Sequence, residues 1–167
     1  MAKRLACSAL FCAFAVILSY IEYLFPVIAA IPGVKLGLAN FAVLLALYHI
    51  GAREALLINT ARILIMGMLF GNVMSIIFAA AGAALSFLVM YFLKKSGLFG
   101  MIAVSGAGGV AHNAGQMIAA MIFSGTAAVA AYFPVLIISG LVTGIVIGIL
   151  ARLLGRRIAK ILSLSED

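Results

Sequence analysis

The sequence predicts an all-α integral membrane protein, a six-transmembrane-helix bundle with both termini cytoplasmic. Three observations carry that expectation. The 167 residues are 67% hydrophobic and only 9% charged, with a mean hydropathy of +1.34. Glycine, proline and charged punctuation cuts the chain into apolar runs of spanning length, roughly 20 residues each. The basic residues collect in alternate connections between those runs. No soluble core needs so much apolar surface, and the length leaves no room for a separate soluble domain, so residues 1–167 read as one polytopic domain of the cell membrane.

The spans are expected at 5–24, 34–51, 54–71, 73–93, 99–123 and 132–151. The first follows Met1-Ala-Lys-Arg, an opening shared with signal peptides. Its apolar run continues to about Leu24 without a convincing cleavage site, so it reads as a transmembrane helix. Cys7 and Cys12 lie within it on different faces and suggest neither a disulfide nor a metal site. Pro26 and Pro32-Gly33 bracket a short apolar loop, Phe25 to Gly33, which is the candidate lid. The second and third spans meet tightly at Gly51-Ala-Arg53. Gly71-Asn72, Lys94-Lys95-Ser-Gly97 and Ser124-Gly125 mark the later breaks. Pro134 is tolerated in the first turn of the last span, where it sets the entry angle.

With the termini on one side, the cytoplasmic set comprises Lys3, Arg4, Arg53, Lys94, Lys95, Arg152, Arg156, Arg157 and Lys160. Lys35 stands alone on the other side and Arg62 falls inside a span. This asymmetry satisfies the positive-inside rule and accounts for most of the net charge of +7, so the basic balance requires no nucleic acid partner.

Helices in lipid associate without a hydrophobic driving force, and small residues that admit close backbone approach become the packing device. Gly140, Gly144 and Gly148 recur at helical spacing in the last span, and Ala107, Ala111, Gly115 and Ala119 in the fifth. Ordinary helix packing explains both. Ala6, Ala9 and Ala13 form a shorter face in the first span, which is open to another protein instead.

Polar groups at membrane depth need an explanation, because a charge near the bilayer centre costs about 2.5–3.5 kcal/mol on insertion scales. Arg62 lies three residues after Asn59 on the same helix face. It is either a ligand contact or a structural group bonded to carbonyls or to Glu22, the one acid placed to oppose it from the outer half. In Ser105-Gly-Ala-Gly-Gly-Val-Ala-His112-Asn113-Ala-Gly-Gln116, His112 and Gln116 share a face with Asn113 adjacent. The Gly108-Gly109 pair one turn earlier lets a ligand or a neighbouring helix approach the backbone. Such a set offers several hydrogen-bond donors and acceptors to a polar head group, whereas a lone buried histidine is more often structural. In the second span Lys35 either snorkels to the interface or joins the site, while Asn40 lies deeper and has no such escape. If Lys35, Arg62 and His112 converge, their field favours an anionic solute. His49, beside Arg53, is expected at the interface. Phe70, Phe78, Tyr132 and Phe133 are either interfacial anchors or a lodging for an aromatic or isoprenoid body.

The residue inventory also excludes chemistry. Only four acids occur, and the single aspartate is Asp167, so a magnesium site of the aspartate-rich kind that holds a prenyl diphosphate has no ligands. There is no Gly-Lys-Ser/Thr phosphate loop, no Cys/His metal spacing and no argued Ser/His/acid set, so the chain is expected to be no enzyme and to need no cofactor. If it moves a solute uphill, the energy comes from a partner or an ion gradient.

Pro32-Gly-Val-Lys35-Leu-Gly-Leu-Ala-Asn40, Asn59-Thr-Ala-Arg62-Ile-Leu, Leu69-Phe-Gly71 and Ala111-His-Asn-Ala-Gly-Gln116 occur in order along nearly the whole chain. Together they resemble the small membrane proteins of the Gx transporter family, also called heptaprenyl diphosphate synthase component I. That group in turn resembles the substrate-binding S components of energy-coupling factor transporters. The second resemblance is looser and rests on size, six spans, cytoplasmic termini and the small-residue first span. It implies an S-component-like bundle that binds a cofactor-related small-molecule solute near the outer face and associates with a transmembrane coupling protein and ATPase subunits. In that picture Ala6, Ala9 and Ala13 meet the coupling protein, and Asn72, His112, Asn113 and Gln116 are better solute contacts than Arg62. The main expectation is therefore the solute-binding component of a transporter. The alternatives are a non-catalytic membrane subunit of heptaprenyl diphosphate synthase and a membrane anchor in a quinone or redox system.

Overall fold

The computed structural model describes the backbone of residues 2–24 and 37–164 and the side chains of residues 4–24 and 37–157. Among the described residues the chain is all-helical. The helices are α1 (Ala2–Leu24), α2 (Leu38–His49), α3 (Ala52–Phe70), α4 (Val73–Ser96), α5 (Met101–Ser124) and α6 (Phe133–Leu164), with a 3-10 turn at Ala127–Tyr132 leading into α6.

Local chemistry sets the helix ends. Asn72 caps α4 with a reciprocal box: its side chain accepts from the Ser75 backbone N–H at 2.8 Å, and the Ser75 hydroxyl accepts from the Asn72 N–H at 2.9 Å. At the far end of α4 and of α5 the chain turns through Gly97 and Gly125, at φ 68° and 65°. These left-handed values cost a side-chain-bearing residue about 1 kcal/mol and glycine little.

Neighbouring helices run antiparallel along the chain. Phe14 of α1 meets Phe41 of α2 with ring centroids 5.9 Å apart, while Tyr20 and Tyr23 at the end of α1 contact Phe70 at the end of α3. Lys94 and His49 bring the final turns of α4 and α2 together with Gly155 of α6. The shortest helix lies deepest. Phe41 through Leu47 of α2 are all buried, against α1, α3 and α6, and form the centre of the hydrophobic core with Ala15, Ile58, Phe87, Val104 and Ile147.

The other main contacts are almost side-chain-free. α5 packs between α4 and α6. A Cβ at Gly144 would sit 2.6 Å from the Ser105 carbonyl oxygen, and one at Gly148 would sit 2.8 Å from the Ile102 Cα. Gly109 lies against Gly140 just as closely. On its other side α5 meets α4 through Gly115, where a Cβ would fall 2.5 Å from the Ala81 carbonyl. The Gly140, Gly144 and Gly148 face is thus a helix-packing seam. Ala111 and Ala119 are buried, in keeping with the same role for the α5 face.

Outward, the bundle is apolar. Leu5, Leu10 and Ile17 on α1, Leu88 and Phe92 on α4, and Ile138, Val142, Val146 and Ile149 on α6 are all exposed. Such a surface suits hydrocarbon rather than water. α1 from Arg4 to Leu24, α4, and the run Ala127–Arg157 are long and apolar enough to cross a membrane. α3 and α5 have 19 and 24 residues, but Arg53, Glu54, Asn59 and Arg62 in one, and His112, Asn113 and Gln116 in the other, dilute their apolar character. The described part of α2, 12 residues, gives about 18 Å of helix.

Most helix bounds differ from the expected spans by a few residues. The large difference is α6, which continues to Leu164 rather than ending near 151, because no glycine-proline break follows Ala151 and Arg152, Arg156 and Arg157 all point outward on the continuing helix. Lys35 and the Phe25 to Gly33 loop lie outside the described residues.

Candidate functional site

Four of the predicted polar residues fall into two centres enclosed by different helices, His112 and Gln116 in one and Arg62 and Asn40 at the other. The first lies between α4 and α5. His112 and Gln116, four residues apart on α5, approach through Nε2 atoms at 3.2 Å, so either the glutamine amide donates to an unprotonated histidine nitrogen or its oxygen, with the amide turned over, accepts from Nε2–H. Both are half-buried. Gly82 of α4 makes room for them: a Cβ there would lie 2.8 Å from Gln116 Cγ and 3.0 Å from His112 Cε1. One turn along α4, Ser86 is 1% exposed and its hydroxyl has no hydrogen-bond partner among the described residues. Gly108 faces Ser86 and Met90, and Gly109 faces α6, so neighbouring helices fill the space that the glycine pair opens.

Asn113 turns the other way. It is buried, donates from Nδ2 to the Leu136 carbonyl of α6 at 2.7 Å, and lies 3.5 Å from the Ser139 hydroxyl. The amide thereby fastens α5 to α6 beside Gly140. Asn72 is exposed and its oxygen serves the α4 cap.

The second centre lies where α1, α2 and α3 meet. Arg62 is 9% exposed, and its Nε and Nη2 both donate to the neutral Asn59 side-chain oxygen, at 3.0 and 2.8 Å. Asn59 is itself buried, so the expected shared face exists and orients the guanidinium. Glu22 of α1 is half-buried. Its carboxylate accepts the Gly37 backbone N–H at 2.7 Å, and its charge acts on Arg62. Among the described residues no carboxylate comes within ion-pair distance of the guanidinium. Asn40, half-buried in the first turn of α2, stands beside Gly37 and so adjoins this centre rather than the α4–α5 one.

The aromatic residues divide likewise. Phe70 packs on Tyr20 and Tyr23, Phe78 pairs edge-on with Phe123 at 5.9 Å, and Tyr132 is exposed. His49, half-buried in the last turn of α2, has its Nε2 buried against Gly155, where the missing side chain of α6 leaves room for the ring.

Ala6, Ala9 and Ala13 are exposed along α1, while Ala15 and Ser19 turn inward. Sequence reasoning passed over Ser86 and Gly82. The signal was present, since Gly82, Ser86 and Met90 recur at helical spacing, but a serine in an apolar run bonds its own helix so often that it draws no notice.

No curated protein and no solved structure matches the chain. A family model for heptaprenyl diphosphate synthase component I matches residues 11–154, which takes in both polar centres, the whole of α2 to α5 and most of α1 and α6. The chain belongs to the heptaprenyl diphosphate synthase component I family.

Proposed function

We propose that this chain is the non-catalytic membrane component of a heptaprenyl diphosphate synthase system, a six-span protein of the cell membrane with both termini cytoplasmic. Family membership over residues 11–154 carries the reading, and the family's name implies a second, partner component. The inventory of acids agrees with a non-catalytic part. Condensing prenyl diphosphates calls for magnesium held by carboxylates, and this sequence has four acids with a single aspartate at its end. Its contribution is then to hold the catalytic component at the bilayer, where a lengthening isoprenoid chain partitions, and to offer polar centres to an anionic or isoprenoid-related small molecule. The charge distribution supports the topology. Arg4, Arg53, Lys94, Lys95, Arg152, Arg156 and Arg157 all lie toward one end of the bundle.

One observation favours a second reading, the solute-binding component of a transporter. Ala6, Ala9 and Ala13 leave a small-residue face of α1 uncovered near the basic end, where a transmembrane coupling protein with ATPase subunits would pack closely.

Affinity purification of the tagged chain from mildly solubilised native membranes separates the two. A soluble prenyl diphosphate synthase subunit in the eluate, with product yield that rises when the chain is added to vesicles, supports the first reading. A coupling protein with ATPases supports the second and overturns the first.

A further inference from the structure

Arg62 is a buried cation held by a neutral partner. Burying a guanidinium is expensive, and the usual compensation is a carboxylate in direct contact. Here two of its N–H groups go to the Asn59 amide oxygen, while the acid that acts on it, Glu22, spends a carboxylate oxygen on the Gly37 N–H of the neighbouring helix. A guanidinium carries five donors in a fixed fork, so the two bonds to Asn59 set its orientation without exhausting it. The half-buried Asn40 amide beside Gly37 adds a further polar group to the same junction. A purely structural ion pair would close the gap between Glu22 and Arg62. Among the described residues, this arrangement orients the positive charge on a neutral partner with no carboxylate in ion-pair contact, and holds the negative charge of Glu22 on the Gly37 N–H.

We propose that Arg62, positioned by Asn59, is an oxyanion receptor for a phosphate or diphosphate group, and that Glu22 is a tethered competitor that the ligand must oppose. The planar fork suits two phosphate oxygens at once. The proposal deepens the membrane-component reading by naming the group recognised. It is tested on the isolated chain, so it stands or falls independently of which protein partner is found.

The two charges make opposite predictions, which a structural salt link does not. The test uses the full chain in phosphatidylcholine nanodiscs, titrated calorimetrically with inorganic pyrophosphate and with farnesyl diphosphate. Wild type is expected to bind. Arg62→Gln is expected to lose about tenfold or more in affinity, in line with the loss of charge-assisted hydrogen bonds. Glu22→Gln is expected to bind several-fold more tightly, because a repelling charge is gone and the amide still accepts from Gly37. Nanodiscs containing phosphatidylglycerol identify the source of the oxyanion: competition there assigns the site to a lipid headgroup, and its absence to the soluble or prenyl diphosphate, both within the proposal. Absent binding by wild type, unchanged affinity in Arg62→Gln, or equal or weaker binding by Glu22→Gln overturns it. If Arg62→Gln does not fold, Glu22→Gln alone decides.

Discussion

The side-chain amide of Asn113 on α5 reaches the Leu136 carbonyl of α6 at 2.7 Å, one turn before Gly140, where the two backbones come together. The hydrogen bond and the glycine contact reinforce each other. Close approach at Gly109 and Gly140 brings the amide within reach, and the amide fixes the rotation of α5 that keeps glycine opposite glycine.

Asn113→Leu removes both side-chain hydrogen bonds described between these helices, to the Leu136 carbonyl and to the Ser139 hydroxyl. A cost of about 1 kcal/mol is expected, in the range of interhelical hydrogen bonds in membrane proteins. The check is the midpoint of reversible unfolding in mixed detergent micelles.

The glycine seams give a larger effect with an internal control. Gly144→Leu places a branched side chain where even a Cβ lies 2.6 Å from the Ser105 carbonyl oxygen, so the helices must separate and folded yield collapses. Gly100→Ala meets nothing within 4 Å and keeps a negative φ, so the same measurement, monodisperse yield by size exclusion, is expected to be unchanged.

How far the sequence disclosed this arrangement follows from what kind of signal each residue carries. Helix periodicity and glycine spacing are local patterns, and Gly140, Gly144 and Gly148 announced a packing face without any partner being known. The Arg62–Asn59 pair is equally local, three residues apart, and its geometry follows from the helical repeat. Asn113 is different. Adjacent to His112 in sequence, it points about 100° away around the helix, and only the position of α6 decides that it binds a backbone carbonyl there. The two polar centres could not be separated for the same reason. Which helices enclose Arg62 and which enclose His112 is tertiary information, and composition alone gave both the same claim on one cavity.

The α4–α5 centre and the α1 face should respond independently. His112→Ala and Gln116→Ala remove half-buried polar groups next to Gly82 and are expected to weaken retention of a co-purifying small molecule with little loss of expression. Ala9→Leu or Ala13→Leu alters an exposed position, sparing that retention while breaking association with a membrane partner. Mass spectrometry of released small molecules and of co-purified proteins reads both. Loss of folded protein in all four variants would remove the site and the partner face together.

Lys94 ties α4 to the end of α2. Its ammonium donates to the Leu47 carbonyl at 2.5 Å and stands 4.9 Å from the Tyr48 ring centroid. A cation bonded to the last carbonyls of a helix also opposes its dipole. Lys94→Met keeps the apolar stem and removes these interactions, so a loss of about 1 kcal/mol is expected in the same unfolding assay. Lys95→Met, whose side chain is exposed and only 6.0 Å from the Tyr91 ring, is expected to change stability far less.

The proposed topology puts the basic end in the cytoplasm, and accessibility labelling tests it directly. Cys7 and Cys12 are free and half-buried in α1, so both are first replaced by alanine. Gly100→Cys then marks the α4–α5 connection at the end that carries Lys94 and Lys95, and Ala127→Cys marks the α5–α6 connection at the opposite end. Both positions are exposed. A membrane-impermeant maleimide added to intact cells is expected to label Ala127→Cys and to reach Gly100→Cys only after the cells are opened. Labelling of both in intact cells would mean that α5 does not cross the bilayer, and its polar face would then have to be reassigned to an aqueous surface. The reversed pattern would place the basic end outside, against the charge asymmetry, and would move the Arg62 centre to the cytoplasmic half.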